Sequence, residues 1–136
     1  MKLLRINHLG IASATLDEAM GRMGKLFGME VEHIEEVASQ KVKTAFFSVG
    51  PSTLEYLEPT DPAGPIAKFM EKKGPGIHHV AFEVDDVDAA VQELLAKGIR
   101  MIDQAPRDGA HGSRIAFIHP AETGGVLMEL CQSHHE

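Results

Sequence analysis

The sequence has too few cysteines and too few positive charges for several classes of protein. Cys131 is the only cysteine, so no internal disulfide can form and a reducing compartment is expected. Lysine and arginine together number 13 against 20 aspartates and glutamates, which gives a net charge of −7. General binding to nucleic acids or to a membrane surface depends on a basic surface. We therefore expect neither nucleic acid nor membrane as a partner.

Long apolar runs are also lacking. No segment approaches the roughly 20 apolar residues that a membrane helix needs. The first 12 residues contain Lys2, Arg5 and His8 in place of the apolar core of a signal peptide. We therefore expect a cytoplasmic protein. The 136 residues, of which 43% are hydrophobic, suit one soluble domain with one core, so a single domain over 1–136 is predicted.

One pattern occurs twice along the chain. A short apolar strand at 7–12 precedes a helix that begins at the capping box of Thr15 and Glu18 and ends at a glycine. A second strand at 78–84 precedes a helix that also ends at a glycine, and the two glycines are 70 positions apart. Three strand-like segments follow each helix. They lie at 29–37, 42–49 and 53–57, and again at 99–103, 113–119 and 126–131.

The repetition predicts an α+β fold. Two tandem βαβββ modules, 1–58 and 77–132, are expected to form a curved mixed sheet around a central metal site. Between them, 59–76 is rich in proline and glycine and has helical spacing at 66–72. We interpret this segment as a connector with one short helix.

Histidine and glutamate recur at equivalent positions of the two halves. His8 and His79 lie on the first strands, and Glu55 and Glu129 lie on the last strands. Two imidazoles and two carboxylates make a neutral site with a divalent ion, and this donor set suits Co²⁺, Mn²⁺, Zn²⁺, Ni²⁺ or Fe²⁺ better than Ca²⁺. His79 is preferred to His78 because it aligns with His8. The sequence thus predicts one divalent ion per chain, held by His8, Glu55, His79 and Glu129.

Several segments resemble the methylmalonyl-CoA epimerase family of the vicinal oxygen chelate superfamily, almost from end to end. The most specific are 76–85 and Gly109-Ala110-His111-Gly112, and weaker matches lie at 7–12, 36–42, 57–59, 65–69 and 119–130. Some members have glutamine where this chain has Glu55. The resemblance implies metal-dependent epimerisation at C2 of methylmalonyl-CoA, by 1,1-proton transfer through a metal-stabilised thioester enolate. It also implies a CoA thioester substrate, a homodimer, and Co²⁺ before Mn²⁺, Ni²⁺, Zn²⁺ or Mg²⁺.

Inversion at one carbon requires acid–base groups on its opposite faces. The resemblance indicates Glu36 as one catalytic group and the ligand Glu129 as the other. His111 and Gly112 are expected in substrate binding, because His111 lies in a glycine-flanked segment where the backbone can approach a ligand closely. The cations that could meet the CoA phosphates are Lys41, Lys43, Lys72, Lys73, Arg107 and Arg114, and the sequence does not choose among them.

Two other functions fit the same fold. Lactoylglutathione lyase (glyoxalase I) has a similar ligand set and also moves a proton, but Glu36 and the 109–112 segment favour the epimerase. A non-catalytic small-molecule-binding protein often lacks the ligands, so the presence of all four disfavours it. Cys131 is expected to be a core residue without a nucleophilic role. The histidines expected at the surface or in the tail are His33, His134 and His135.

Overall fold

A computed structural model describes residues 1–133 of the chain. The predicted tail residues His134 and His135 lie outside the described residues. The chain divides into two compact units. Unit I is 9–78, and unit II combines 1–8 with the chain from 79 onward.

Strands and helices follow the order that the repetition predicts. In the first half they are β1 (Arg5–Ala12), α1 (Leu16–Phe27), β2 (His33–Val37), β3 (Val42–Val49) and β4 (Ser52–Pro59). The connecting helix is α2 (Pro65–Lys73). In the second half they are β5 (Gly76–Glu83), α3 (Val87–Ala96), β6 (Arg107–Asp108), β7 (Arg114–Ile118) and β8 (Met128–Gln132). The α+β class and the strand–helix–three-strand order of each half are confirmed.

The helices begin where polar side chains can accept their first N–H groups. The Thr15 hydroxyl accepts from the Glu18 N–H at 3.1 Å, and Glu58 accepts from the Leu16 N–H at 2.7 Å. In the second half, the Asp86 carboxylate accepts from the backbone of α3 at 3.0 Å. Helix α1 ends at Gly28, whose φ of 64° is left-handed. The cap predicted at Thr15 is therefore confirmed for α1, and Asp86 caps α3 in the same way.

The strand predicted at 99–103 is the largest difference from the expected fold. Only Met101 forms a bridge there, and β6 is displaced to Arg107–Asp108. The reason is that the Asp103 side chain accepts from the Phe117 N–H at 2.8 Å, so a carboxylate replaces a strand carbonyl. Pro106 also lacks the N–H that a continuous ladder would use.

In unit I, the strands β2, β3 and β4 run antiparallel in that order. Helix α1 covers one face of these strands, where Leu16, Ala19 and Met23 pack against residues of β3 and β4. Because strand side chains alternate between faces, the register decides which residues share a face. Phe46 lies opposite Glu55, on the face away from α1.

In unit II, β5, β8, β7 and β6 are neighbours in that order. Strand β5 is parallel to β8, while β7 is antiparallel to β8 and to β6. Helix α3 packs against Ala116 and Leu130 on one face. The opposite face carries Ala81, Phe117 and Glu129, which are register partners across the three central strands.

Strands β1 and β5 have the same alternation of burial along their eight residues. His8 and His79 occupy the same place in that alternation, and each is buried. The repetition seen in the sequence is therefore also a repetition of side-chain environment. Among residues 1–133, no helix is long and apolar enough to cross a membrane.

Candidate metal site

Three of the predicted ligands converge inside unit II. His8 Nε2 lies 3.1 Å from His79 Nε2. The Glu129 carboxylate faces both rings, with each of its oxygens 3.5 Å from one Nε2 atom. His8 and His79 are 6% exposed and Glu129 is 3% exposed, so the three donors meet away from bulk solvent.

The strand register explains why these side chains meet. Glu129 lies beside Ala81 of β5 and opposite Phe117 of β7, so its side chain points to the face away from α3. His79 precedes Ala81 by two residues and therefore points to that same face. The alignment argument that preferred His79 is consistent with this geometry, whereas His78 packs edge-on against the Phe69 ring at 5.0 Å.

The donor set fits a divalent ion. The three ligand atoms all lie within 4.8 Å of one another. Ligands about 2.1 Å from one ion are separated by roughly 3 to 3.4 Å in octahedral or tetrahedral geometry, which is close to the separations of these atoms. With neutral imidazoles, the single carboxylate leaves a buried negative charge, which a cation offsets. His8, His79 and Glu129 are thus a candidate divalent-metal site.

Aromatic packing restrains the second histidine. The Phe117 ring lies edge-on to His79, with 5.5 Å between the ring centroids. The Arg107 guanidinium lies over the Phe117 ring, 5.5 Å from its centroid. Arg107 itself is paired with Asp103 at 3.0 Å. Phe117 therefore contacts both a histidine of the candidate site and the Arg107 guanidinium.

Glu55, the fourth predicted ligand, belongs to unit I. It lies on β4 and is only 9% exposed. Its side chain shares the face of Phe46 and Leu57, away from α1. Its role as a metal ligand stays a prediction.

Two adjacent glutamates of β2 point to opposite faces of unit I. Glu36 lies opposite Lys43, is exposed, and shares the face covered by α1. Glu35 lies opposite Thr44, and Thr44 lies opposite Leu57, which shares the face of Glu55. The register therefore favours Glu35 over the predicted Glu36 for any role on the face of Glu55. The sequence alone could not show which of the two glutamates shares the face of Glu55, because that depends on the register between β2 and β3.

The predicted substrate-binding segment is a tight turn. Ala110–Gly112 is a short 3₁₀-like segment that is kinked at His111, which is exposed and has a left-handed backbone with φ 56° and ψ 31°. Left-handed backbone is uncommon for a residue with a side chain and is often found at functional sites. A Cβ at Gly109 would lie 2.8 Å from Ser113 Oγ, so this position needs glycine. The roles of His111 and Gly112 stay predictions.

The structure also gives the burial and ion pairs of the remaining residues that the sequence singled out. Cys131 is buried, as predicted, and His33 is exposed, as predicted. Burial lowers the pKa of His78 to about 4. Among the candidate cations, Lys41 pairs with Asp61 at 4.0 Å, and Arg114 pairs with Asp88 at 3.2 Å.

Sequence reasoning did not single out Asn7, although it precedes His8. The Asn7 side-chain oxygen lies 2.7 Å from His8 Nδ1. An asparagine adjacent to a predicted ligand in the same strand was the available signal.

Comparison with known proteins places these features in a family. Residues 7–117 match the sequence profile of the Glyoxalase/Bleomycin resistance protein/Dioxygenase superfamily. A Dictyostelium discoideum relative named methylmalonyl-CoA epimerase is 40% identical over 93% of this chain and 76% of its own length. The Cereibacter sphaeroides ethylmalonyl-CoA/methylmalonyl-CoA epimerase is 35% identical over 94% of this chain and 97% of its own length.

A solved structure gives the same result for the fold. A single-residue variant of Streptomyces coelicolor methylmalonyl-CoA epimerase, in complex with 2-nitronate-propionyl-CoA, superposes with a TM-score of 0.93 at 40% identity. The superposition covers 97% of this chain and 96% of that one. This chain belongs to the Glyoxalase/Bleomycin resistance protein/Dioxygenase superfamily, which is the vicinal oxygen chelate superfamily.

Proposed function

We propose that this chain catalyses epimerisation at C2 of methylmalonyl-CoA. The observation that carries the proposal is the buried convergence of His8, His79 and Glu129 in unit II. Relatives that are 35–40% identical over most of the chain are named for this activity, which supports the choice of substrate.

The chemistry suits the donor set. The C2 hydrogen of the substrate lies between a thioester and a carboxylate, and its removal leaves negative charge on oxygen. His8, His79 and Glu129, with Glu55 as the proposed fourth ligand, would hold a divalent ion, which would supply Lewis acidity where that negative charge develops. We propose Co²⁺ first, then Mn²⁺, Ni²⁺, Zn²⁺ or Mg²⁺, which is the order that the family resemblance implies. A mixed set of imidazole and carboxylate donors suits the transition-metal ions of this series.

Proton transfer requires two groups on opposite faces of C2. Glu129 is one proposed base, because its buried carboxylate belongs to the cluster itself. The sequence predicted Glu36 as the other. Since Glu36 shares the face covered by α1 whereas Glu35 shares the face of Glu55, we propose Glu35 for this role.

The remaining assignments belong to the same proposal. His111 and Gly112 bind the acyl part of the CoA thioester, and the left-handed backbone of His111 supports a functional reason for the turn. We also propose a cytoplasmic homodimer.

The deciding experiment compares substrates on one preparation. Metal-free protein is loaded with Co²⁺ and incubated in deuterium oxide with either epimer of methylmalonyl-CoA. We expect epimerisation together with deuterium at C2. The hemithioacetal of methylglyoxal and glutathione is assayed in parallel, and turnover of that compound alone would identify a lactoylglutathione lyase. Absence of turnover with both substrates, despite tight Co²⁺ binding, would identify a non-catalytic binding protein.

A further inference from the structure

We propose that Asn7 and Glu83 are positioning residues that fix the tautomer of His8, so that its Nε2 atom presents a lone pair to the metal. The inference rests on the metal site of the proposed function. It concerns residues of unit II that do not touch the proposed ion, and it does not depend on which substrate is turned over.

The first step is the contact between Asn7 and His8. The Asn7 side-chain oxygen lies 2.7 Å from His8 Nδ1. An amide oxygen only accepts hydrogen bonds, so His8 Nδ1 must carry the proton. A neutral imidazole has one protonated nitrogen, which leaves Nε2 as the lone-pair atom. This is the atom that faces His79 and Glu129.

The second step is the orientation of the Asn7 amide. Its nitrogen donates to Glu83 Oε1 at 2.9 Å and to Ser133 Oγ at 3.1 Å. An ionised carboxylate only accepts. The amide cannot therefore turn over without placing its oxygen against Glu83 and its nitrogen against His8. In this way Glu83 determines which end of Asn7 meets the histidine.

The third step is the charge of Glu83. Its carboxylate is buried and accepts hydrogen bonds from Arg5 at 3.0 Å, from Asn7 and from Ser133. Burial by itself raises the pKa of Glu83, but these hydrogen bonds and the Arg5 charge lower it below its ordinary value. The hydrogen bonds and the Arg5 charge thus favour the ionised form of Glu83, which accepts from Asn7.

The arrangement is specific to one of the two histidines. Asn7 is the only asparagine of the chain, and the position that repeats it before His79 is His78. The position that repeats Glu83 in the first half is Ala12, which cannot accept a hydrogen bond through its side chain. The hydrogen bonds that link His8, Asn7 and Glu83 are therefore not a consequence of the internal sequence repeat. Loss of a hydrogen-bonding partner behind a ligand typically costs 10- to 100-fold in metal affinity.

The test uses Co²⁺ titration calorimetry on metal-free protein. Asn7→Leu is expected to weaken Co²⁺ binding by about 10- to 100-fold. Asn7→Asp places a second carboxylate beside that of Glu83 and is expected to weaken Co²⁺ binding as well. Adding Glu83→Gln to Asn7→Asp restores a donor opposite an acceptor, so the double variant is expected to regain most of the affinity. Glu93→Gln, which removes an exposed carboxylate of the same unit, is the control for net charge.

A second measurement reports the tautomer itself. In metal-free protein with ¹⁵N-labelled histidine, the His8 imidazole, assigned with a His8→Ala variant, should show protonated Nδ1 and a lone pair on Nε2. Asn7→Leu should shift this ring towards the other tautomer.

Opposite results would overturn the proposal. One is a protonated His8 Nε2 in the unchanged protein. Another is a Co²⁺ affinity of Asn7→Leu that equals that of the control. The third is an Asn7→Asp variant whose Co²⁺ affinity does not recover when Glu83→Gln is added. If the expected tautomer and affinities are found but methylmalonyl-CoA is not turned over, the epimerase proposal fails and this one stands.

Discussion

Glu129 lies directly opposite Phe117 in the antiparallel pair of β7 and β8, and the Phe117 ring packs edge-on against His79. One register pair therefore supplies both the carboxylate of the candidate metal site and the apolar contact that restrains His79 in the same site. Low polarity around the carboxylate strengthens its interaction with a cation. The same low polarity makes the carboxylate costly to bury without one.

Replacing Glu129 with glutamine tests the charge of the cluster without changing the shape of the side chain. Loss of one member of a buried charge pair typically costs about 3 to 5 kcal/mol, so Co²⁺ affinity is expected to fall by roughly two to four orders of magnitude. Epimerase activity should fall by about 10²- to 10⁴-fold. Calorimetry and the deuterium assay measure the two effects, with Glu93→Gln as the control. Unchanged Co²⁺ affinity would remove Glu129 from the ligand set.

Truncation of Phe117 should affect stability and the metal site together. Its side chain is 8% exposed and packs with Ala81, Ile115 and Cys131. Phe117→Ala is expected to lower the free energy of unfolding by about 3 to 5 kcal/mol and to weaken Co²⁺ binding, because His79 loses its restraint. Phe117→Leu keeps most of the volume and should retain most of the stability. Denaturant unfolding gives the first quantity, and equal stability of Phe117→Ala and the unchanged protein would contradict the packing.

His78 is expected to make unit I less stable in mild acid. Burial lowers its pKa from 6.5 to about 4, so the unfolded chain binds a proton in this range that the folded chain does not. The stabilisation that the folded state gains from holding His78 neutral is thus fully present above pH 6.5, and it is lost as the pH falls towards 4. The full shift corresponds to about 3 kcal/mol.

The measurement is the free energy of unfolding of metal-free protein between pH 7.5 and 4. His78→Gln should have a shallower pH dependence than the unchanged chain. His33→Gln, which removes an exposed histidine, should leave the slope in place. The same slope in all three proteins would contradict the assignment.

The repetition made the main features of the site predictable. His8 and His79 occupy equivalent strand positions, as do Glu55 and Glu129, and the alternation of strand side chains ties each residue to one face. The sequence thus predicted that all four would share one site. The structure brings His8, His79 and Glu129 together, and the role of Glu55 as the fourth ligand stays a prediction. The Thr15 cap of α1 was equally predictable, because Thr15 lies within one turn of the N–H group that it accepts from.

Contacts that depend on distant pairing were not predictable. Asn7 and Glu83 are 76 positions apart. They meet only because residues 5–8 of β1 lie beside residues 79–83 of β5 within unit II. The choice between Glu35 and Glu36 depends on pairing of β2 with β3, where a shift of one residue exchanges the faces. Likewise, the strand expected at 99–103 is shortened by the Asp103 side chain, whose contact with Phe117 spans a loop. Periodicity alone carries no information on such contacts.

The adjacent acids of β2 provide a matched pair for the second base. Glu35→Gln and Glu36→Gln remove the same charge one residue apart, on opposite faces of unit I. If Glu35 transfers the proton, Glu35→Gln should lower epimerisation by about 10²- to 10⁴-fold, while Glu36→Gln should retain nearly full activity. Co²⁺ affinity should be unchanged in both variants, which separates proton transfer from loss of the metal.

Deuterium exchange adds a readout for each face of C2. A chain that keeps only Glu129 as a base is expected to exchange the C2 hydrogen of one epimer without inverting it, since a single group serves a single face. Glu35→Gln should therefore exchange one epimer and leave the other almost untouched, whereas Glu36→Gln should exchange both. The reverse outcome, with Glu36→Gln inactive on one epimer and Glu35→Gln unaffected, would restore the role that the sequence assigned to Glu36.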